Sequence, residues 1–337
     1  MNKNRYYIVA FIKNDQRYLK EWLDHHIKIG FTDIILIEDI SSGSHSDITN
    51  TYPQVRLYRY EDLFDIYNIP KSFMIPEDPA RSNQLGRQFQ IYNMAVNLII
   101  KEQITKDHIN SWAAFIDDDE YVHLNKFKTL DDFTDFYDES SISGVMIPWE
   151  VYGANDHIEW TPDVVDSYDL LNHSKQIPEE NYIDDNIWRF KGFMHLNADG
   201  ENYNKLFSVH YIKGSVYLDG TQVPQLPPFN DYVPADEYKT WQEFIEKYHI
   251  RDNRDVVLKH AMTKSLQDWC YRVKVRGSNL IEEGDLAPAA RDIDAFFKLN
   301  PDMAFAKDFL ISRISKPYDE IDFHQLQIDY DNLKKGK

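Results

Sequence analysis

The chain has 337 residues, enough for a large buried core, and its hydrophobic (42%) and charged (28%) contents are those of an ordinary globular protein. With 37 basic against 56 acidic residues its formal charge is -19, which argues against nonspecific binding to nucleic acid or to anionic membranes. A single cysteine, Cys270, rules out an intrachain disulfide and a cysteine metal site. An anionic substrate would need a metal ion or local Lys and Arg to hold it. No apolar run of about 18 residues predicts a membrane span. Tyr6–Ile12 is short and has no small-residue cleavage site, so it reads as a strand and the expected location is cytoplasmic.

Taken in order, Tyr6–Ile12 predicts a strand buried on both faces. Lys13-Asn14-Asp15 offers a helix cap, and Leu19, Trp22, Leu23, His26 and Ile27 recur at helical spacing up to a stop at Gly30. Thr32–Ile37 is a second strand ending in Glu38-Asp39, so the segment reads as a βαβ unit with parallel pairing. A third strand fits Gln54–Tyr60. Glu61–Arg81 contains Pro70, Pro76 and Pro79 and reads as a loop, and Gln84–Glu102 as one long helix.

Trp112–Ile116 is an apolar strand running into Asp117-Asp-Asp-Glu120. In an extended chain residues i and i+2 lie roughly 6.5 Å apart on one face. Asp117 and Asp119 would then converge on one hard cation while Asp118 points away. Read by itself, a four-acid string is more often a solvated turn. This one stands where ligands collect in open α/β sheets, at the carboxyl end of a strand. A short helix is expected over Asp131–Tyr137 and a strand over Ser143–Trp149.

In the C-terminal half the pattern loosens from Gly153 to Ala235 into long loops, with short strands near Trp188–Phe190 and Ser215–Leu218. Helices are expected over Asp236–Tyr248 and Asp255–Arg276, the second carrying His260, Lys264, Trp269 and Lys274, with further helices over 287–314. Trp22 and His26, one turn apart on the apolar face of their helix, read as core packing, and Gln90 and Asn93 as packing or helix-surface groups. Trp149 fits either a core ring or an acceptor platform.

Several of these segments resemble, in order, bacterial glycosyltransferase family 2 proteins and the related family 92. Lys13-Asn14-Asp15, Leu19-Lys-Glu21-Trp22, His26 and Gly30 are similar to the opening of those proteins. Ile37-Glu38-Asp39-Ile-Ser41 stands where they carry Tyr-Asp-Asn-x-Ser, and Gln90-Ile-Tyr-Asn93 resembles their Gln-x-x-Asn helix. Trp112–Tyr121 resembles their Trp-x-x-Phe-Ile-Asp-x-Asp-Glu-Phe segment, and Trp149–Gly153 their Trp-x-x-Phe-Gly segment. His260–Ser265 and Lys274–Gly277 resemble their C-terminal signature, and Lys205-Leu-Phe-Ser-Val their Lys-x-Ile-Val-Arg strand. Asp15 and Glu38 depart from the family's Glu and Asp.

The resemblance implies an α/β chain with a GT-A core over 1–235 and a helical C-terminal extension, 236–337, that completes the active site. It implies a nucleotide-sugar donor (UDP- or GDP-hexose), Mn2+ or Mg2+, and a glycan or lipid-linked acceptor in bacterial surface glycan synthesis, acted on at the inner face of the membrane. Asp117 and Asp119 would be the Asp-x-Asp metal pair, with His260 completing the shell and Asp219 as its alternative. Lys13, Asn14, Glu38, Asp39, Asp117, Lys264 and Arg276 would hold the donor, with Lys274 adding charge near its diphosphate. Glu150 or Asp156 would be the base of an inverting transfer. A noncatalytic nucleotide-sugar binder and a metal-dependent phosphohydrolase are the competing expectations.

Overall fold

The computed structural model describes residues 4–14, 16–39, 43–75, 84–107, 110–137, 142–168, 190–196, 212, 215–218, 221–223, 247, 249, 254–261, 263–276 and 293–336. The N-terminal apolar run forms β1 (Asn4–Ile12), buried along nearly its whole length. Helix α1 (Gln16–Ile29) follows, with Tyr18, Leu19, Trp22, Leu23 and His26 buried along one stripe. It stops at Gly30, whose φ of +118° lies in the region that glycine enters without steric cost. The chain then returns as β2 (Asp33–Glu38), parallel to β1, with Ile8 beside Ile34 and Ile12 beside Glu38. Strand β3 (Val55–Arg59) adds in parallel to β2, and β4 (Asn110–Phe115) in parallel to the other edge of β1. The predicted βαβ unit is therefore present.

Beyond β4 the sheet changes direction. The other strands are β5 (Glu120–His123), β6 (Gly144–Val151), β7 (Phe190–Leu196), β8 (Val216–Leu218), β9 (Thr221–Val223) and β10 (Val257–His260). Strand β7 runs antiparallel to both β4 and β6. Among the described residues the mixed sheet has ten strands in the order β3-β2-β1-β4-β7-β6-β10-β5, with β8 beside β6 and β9 beside β8. One sheet face sends Tyr7, Val9, Phe11, Ile35, Ile37, Ala113 and Phe115 into a core shared with Ile91, Ala95, Val96 and Ile99. The alternation along each strand is the period-2 pattern of a pleated sheet.

Three predicted elements differ. Tyr60–Ile66 is a helix, α2, because Tyr60, Leu63 and Phe64 are buried at helical spacing and the prolines begin only at Pro70. The long helix starts as α3 (Gln84–Met94), widens into a π-helical stretch over Ala95–Ile100 and resumes over Lys101–Asp107. Asn93 and Asn97 there donate side-chain N–H groups to the carbonyls of Phe89 and Asn93, competing with the regular ladder. Asp255–Arg276 is not one helix. The β-branched Val256-Val257 pair leads into β10, and the helix begins only where Ser265 and Asp268 form a capping box for Leu266–Tyr271. The helix expected over Asp131–Tyr137 forms as Leu130–Tyr137. Trp188, Lys205, Asp219 and nearly all of the helix expected over Asp236–Tyr248 lie outside the described residues.

The chain divides into two compact units: residues 1–75, 85–150 and 177–259 form the first, and 76–84, 151–176 and 260–337 the second. No helix among the described residues is long and apolar enough to cross a membrane.

Candidate functional site

In the first unit the carboxyl ends of β1, β2 and β4 come together, because parallel registry aligns strand ends as well as strand centres. Asp39 donates its backbone N–H to the Ile12 carbonyl at 3.0 Å, which sets it beside Lys13. Its carboxylate is fully buried and takes two cations: the Lys13 ammonium at 3.7 Å and the Arg87 guanidinium at 3.1 Å. A buried acid without such partners would be strongly disfavoured. Asn14 adopts a left-handed backbone conformation, φ 51°, and its Oδ1 accepts the Gly43 N–H at 2.8 Å. Glu38 Oε1 accepts from the His45 backbone N–H at 2.6 Å and lies 2.8 Å from its ring Nδ1. Lys13, Asn14, Glu38 and Asp39 thus lie together, with Asn14 and Glu38 already engaged in holding the segment after β2.

The acids after β4 occupy the strand end that the sequence predicts, but not in extended form. The strand stops at Phe115 and the chain turns, with the Glu120 N–H donating to the Asp117 carbonyl at 3.1 Å. Glu120 replies through its side chain: Oε2 accepts the Asp117 N–H at 2.7 Å. The expected alternation therefore fails, because a reciprocal bond across three residues closes a turn in which Asp118 and Asp119 are both buried. Asp117 is the more open acid, its side chain 31% exposed.

Asp117 is held on two sides. Its Oδ1 accepts from Gln88 Nε2 at 2.5 Å and from the Tyr92 hydroxyl at 3.4 Å; its Oδ2 accepts from Lys191 Nζ at 2.9 Å. Lys191, fully buried on β7, also lies 3.6 Å from Glu120 Oε2 and 5.9 Å from the centre of the Trp149 ring. Burial alone would lower the Lys191 pKa, but the Asp117 and Glu120 carboxylates more than offset it, so the ammonium is raised. Burial pushes the Glu120 carboxyl well above the usual range, against the pull of Lys191. Burial likewise lifts the Tyr92 hydroxyl, with Asp117 adding to it.

Sequence reasoning missed Arg87, Gln88 and Lys191. The first two open the helix carrying the Gln90-x-x-Asn93 segment, one turn earlier than the residues singled out. Lys191 had one signal, an isolated charge inside the apolar run Phe190–Met194. Gln90 is a packing group, as expected, donating to the Phe73 carbonyl at 2.7 Å. Trp22 and His26 are fully buried, and Trp149 is a buried core ring rather than an exposed platform.

Both base candidates are engaged in ion pairs. Glu150 is paired with Arg254 at 3.3 Å. Asp156, in the second unit, accepts from the Tyr330 hydroxyl and the Lys334 ammonium; these two contacts outweigh burial and hold its carboxyl below the usual range. A depressed pKa makes a weaker general base. Asp156 lines a cavity of about 440 Å³ with Asn155, His157, Trp160, Gln327 and Asp331.

His260, Lys264 and Arg276 belong to the second unit. His260 is buried at the end of β10, not on a helix, and its carbonyl accepts the Tyr152 N–H at 3.0 Å. Lys264 is buried with φ 48°, just before the capping box, and Arg276 ends the π-helical turn that begins at Arg272. Lys274 is occupied structurally, donating to the Ile314 and Lys316 carbonyls. Asp219 lies outside the described residues.

Asp117 and Asp119 offer hard oxygen donors of the kind Mg2+ and Mn2+ take. Among the described residues no three His, Cys, Asp or Glu side chains form a ready cage. In comparisons with known proteins, no family model matches the chain and no curated protein is significantly similar to it.

Proposed function

We propose that the chain is a metal-dependent glycosyltransferase with a GT-A core, moving a hexose from a UDP- or GDP-sugar to a hydroxyl of a glycan or lipid-linked acceptor with inversion. The observation that carries this reading is the clustering of Lys13, Asp39 and Arg87 at the ends of β1 and β2, with a partly exposed acid, Asp117, at the end of neighbouring β4. A nucleotide bound at the carboxyl edge of a parallel sheet would meet such a set. Asp117 and Asp119 would hold Mn2+ or Mg2+, which supplies Lewis-acid neutralisation of the departing diphosphate. Gln88 and Lys191 fix the orientation of Asp117, and Arg87 and Lys13 hold the buried Asp39 carboxylate at the edge of the proposed nucleotide site.

Donor hydrolysis measured with Mn2+ and again with excess EDTA tests the reading. Activity should vanish in chelator and in Asp117→Asn; full activity in either would refute it. One observation favours a second reading, a noncatalytic nucleotide-sugar binder: Glu150 and Asp156 are both tied into ion pairs. Donor binding without hydrolysis or transfer across a panel of acceptors would select it.

A further inference from the structure

We propose that Lys191 is a resident counter-cation of the acidic turn, holding Asp117 while no divalent ion is bound and passing to Glu120 when one arrives. This rests on the metal-binding reading above and adds a device within that site. Of the two Asp117 oxygens, Oδ1 is engaged by Gln88 at 2.5 Å and Oδ2 by Lys191 at 2.9 Å. An ion approaching the exposed side of Asp117 must therefore compete with an ammonium already in place on Oδ2, and a divalent ion bound there repels that ammonium about twice as strongly as a single charge at the same distance would.

The structure supplies a place for the displaced ammonium. Glu120 is fully buried, and while its Oε2 accepts the Asp117 N–H, its Oε1 accepts no hydrogen bond from the described residues. A buried carboxylate oxygen left without a donor is costly. Lys191 Nζ already lies 3.6 Å from Glu120 Oε2, so a swing of about an ångström by a flexible four-carbon stem brings the ammonium into hydrogen-bond distance of that carboxyl group. The move stays in the buried space that the side chain already fills beside Trp149. One lysine thus serves two acids alternately.

Lys191→Met keeps the length of the side chain and removes the competitor. Mn2+ affinity, read from the signal of free ion by electron paramagnetic resonance, should rise on the order of tenfold. Lys191→Arg, which keeps the charge, should bind no more tightly than wild type. Equal or weaker binding by a Lys191→Met protein with an unchanged circular dichroism spectrum overturns the proposal while leaving the metal reading intact. No Mn2+ binding by the wild type sinks both. Should Lys191→Met not fold, the wild type still decides through the 15N signal of the Lys191 ammonium, assigned by its absence from Lys191→Arg. Titration with diamagnetic Mg2+ should shift that signal, and an unmoved signal at saturation rejects the exchange.

Discussion

His26 is a core histidine, as its place on the apolar stripe of its helix predicts. Its ring is fully buried, Nδ1–H donates to the Trp22 carbonyl at 2.8 Å, and Nε2 accepts the Val122 N–H at 3.3 Å. Both bonds require the neutral ring, since a proton on Nε2 would face another N–H. Burial, reinforced by neighbouring His25, pulls its pKa well below 6.5. The unfolded chain takes up a proton as pH falls through about 6.5 and the native ring does not. The contribution of His26 is therefore whole above that pH, and it declines by about 1.4 kcal/mol per pH unit below it. His25, lowered in the same direction by burial, adds to the slope. Urea unfolding between pH 7.5 and 5.5 should show falling stability on acidification, and His26→Gln should flatten that fall while destabilising the protein by about 1–3 kcal/mol. An unchanged slope would place the proton uptake elsewhere.

At the scale of elements, the N-terminal half was legible because each signal was local: an apolar run for β1, an i, i+3, i+4 stripe for α1, a glycine stop, and acids at the end of a strand. The failures came from competition between local preferences. Asp117 and Glu120 bond to each other across a turn, so a residue-by-residue strand pattern mistook their geometry. Val256 and Val257 drew residues 257–260 into the sheet although His260, Lys264 and Trp269 suit a helix. Lys191 was missed because its partners lie more than 70 positions away in sequence. Strand pairing adds a constraint that no pattern reveals. Gly144 begins β6 with φ +155°, and a Cβ there would lie 2.3 Å from the Phe193 carbonyl oxygen of β7. Gly144→Ala must therefore displace backbone and should cost at least about 3 kcal/mol, read as a lowered denaturation midpoint. A loss under about 1 kcal/mol would show that this edge of β6 yields freely.

For the molecule as a whole, the charge of -19 frames the chemistry. An acidic chain that is to hold a nucleoside diphosphate must concentrate its few cations, and the first unit places Lys13, Arg87 and Lys191 among the acids at three strand ends. The presence of an α/β sheet with parallel N-terminal strands was readable in the sequence. Its antiparallel continuation was not, because β7 reaches β4 and β6 only through long-range pairing. The central claim is that a nucleoside diphosphate and a divalent ion meet at Asp117. Titration calorimetry of UDP and GDP, with Mn2+ and in EDTA, on wild type and Asp117→Asn measures this directly. The account predicts binding of one nucleotide that requires Mn2+ and is weakened at least about tenfold in the variant; nucleotide binding indifferent to both metal and Asp117 would contradict it.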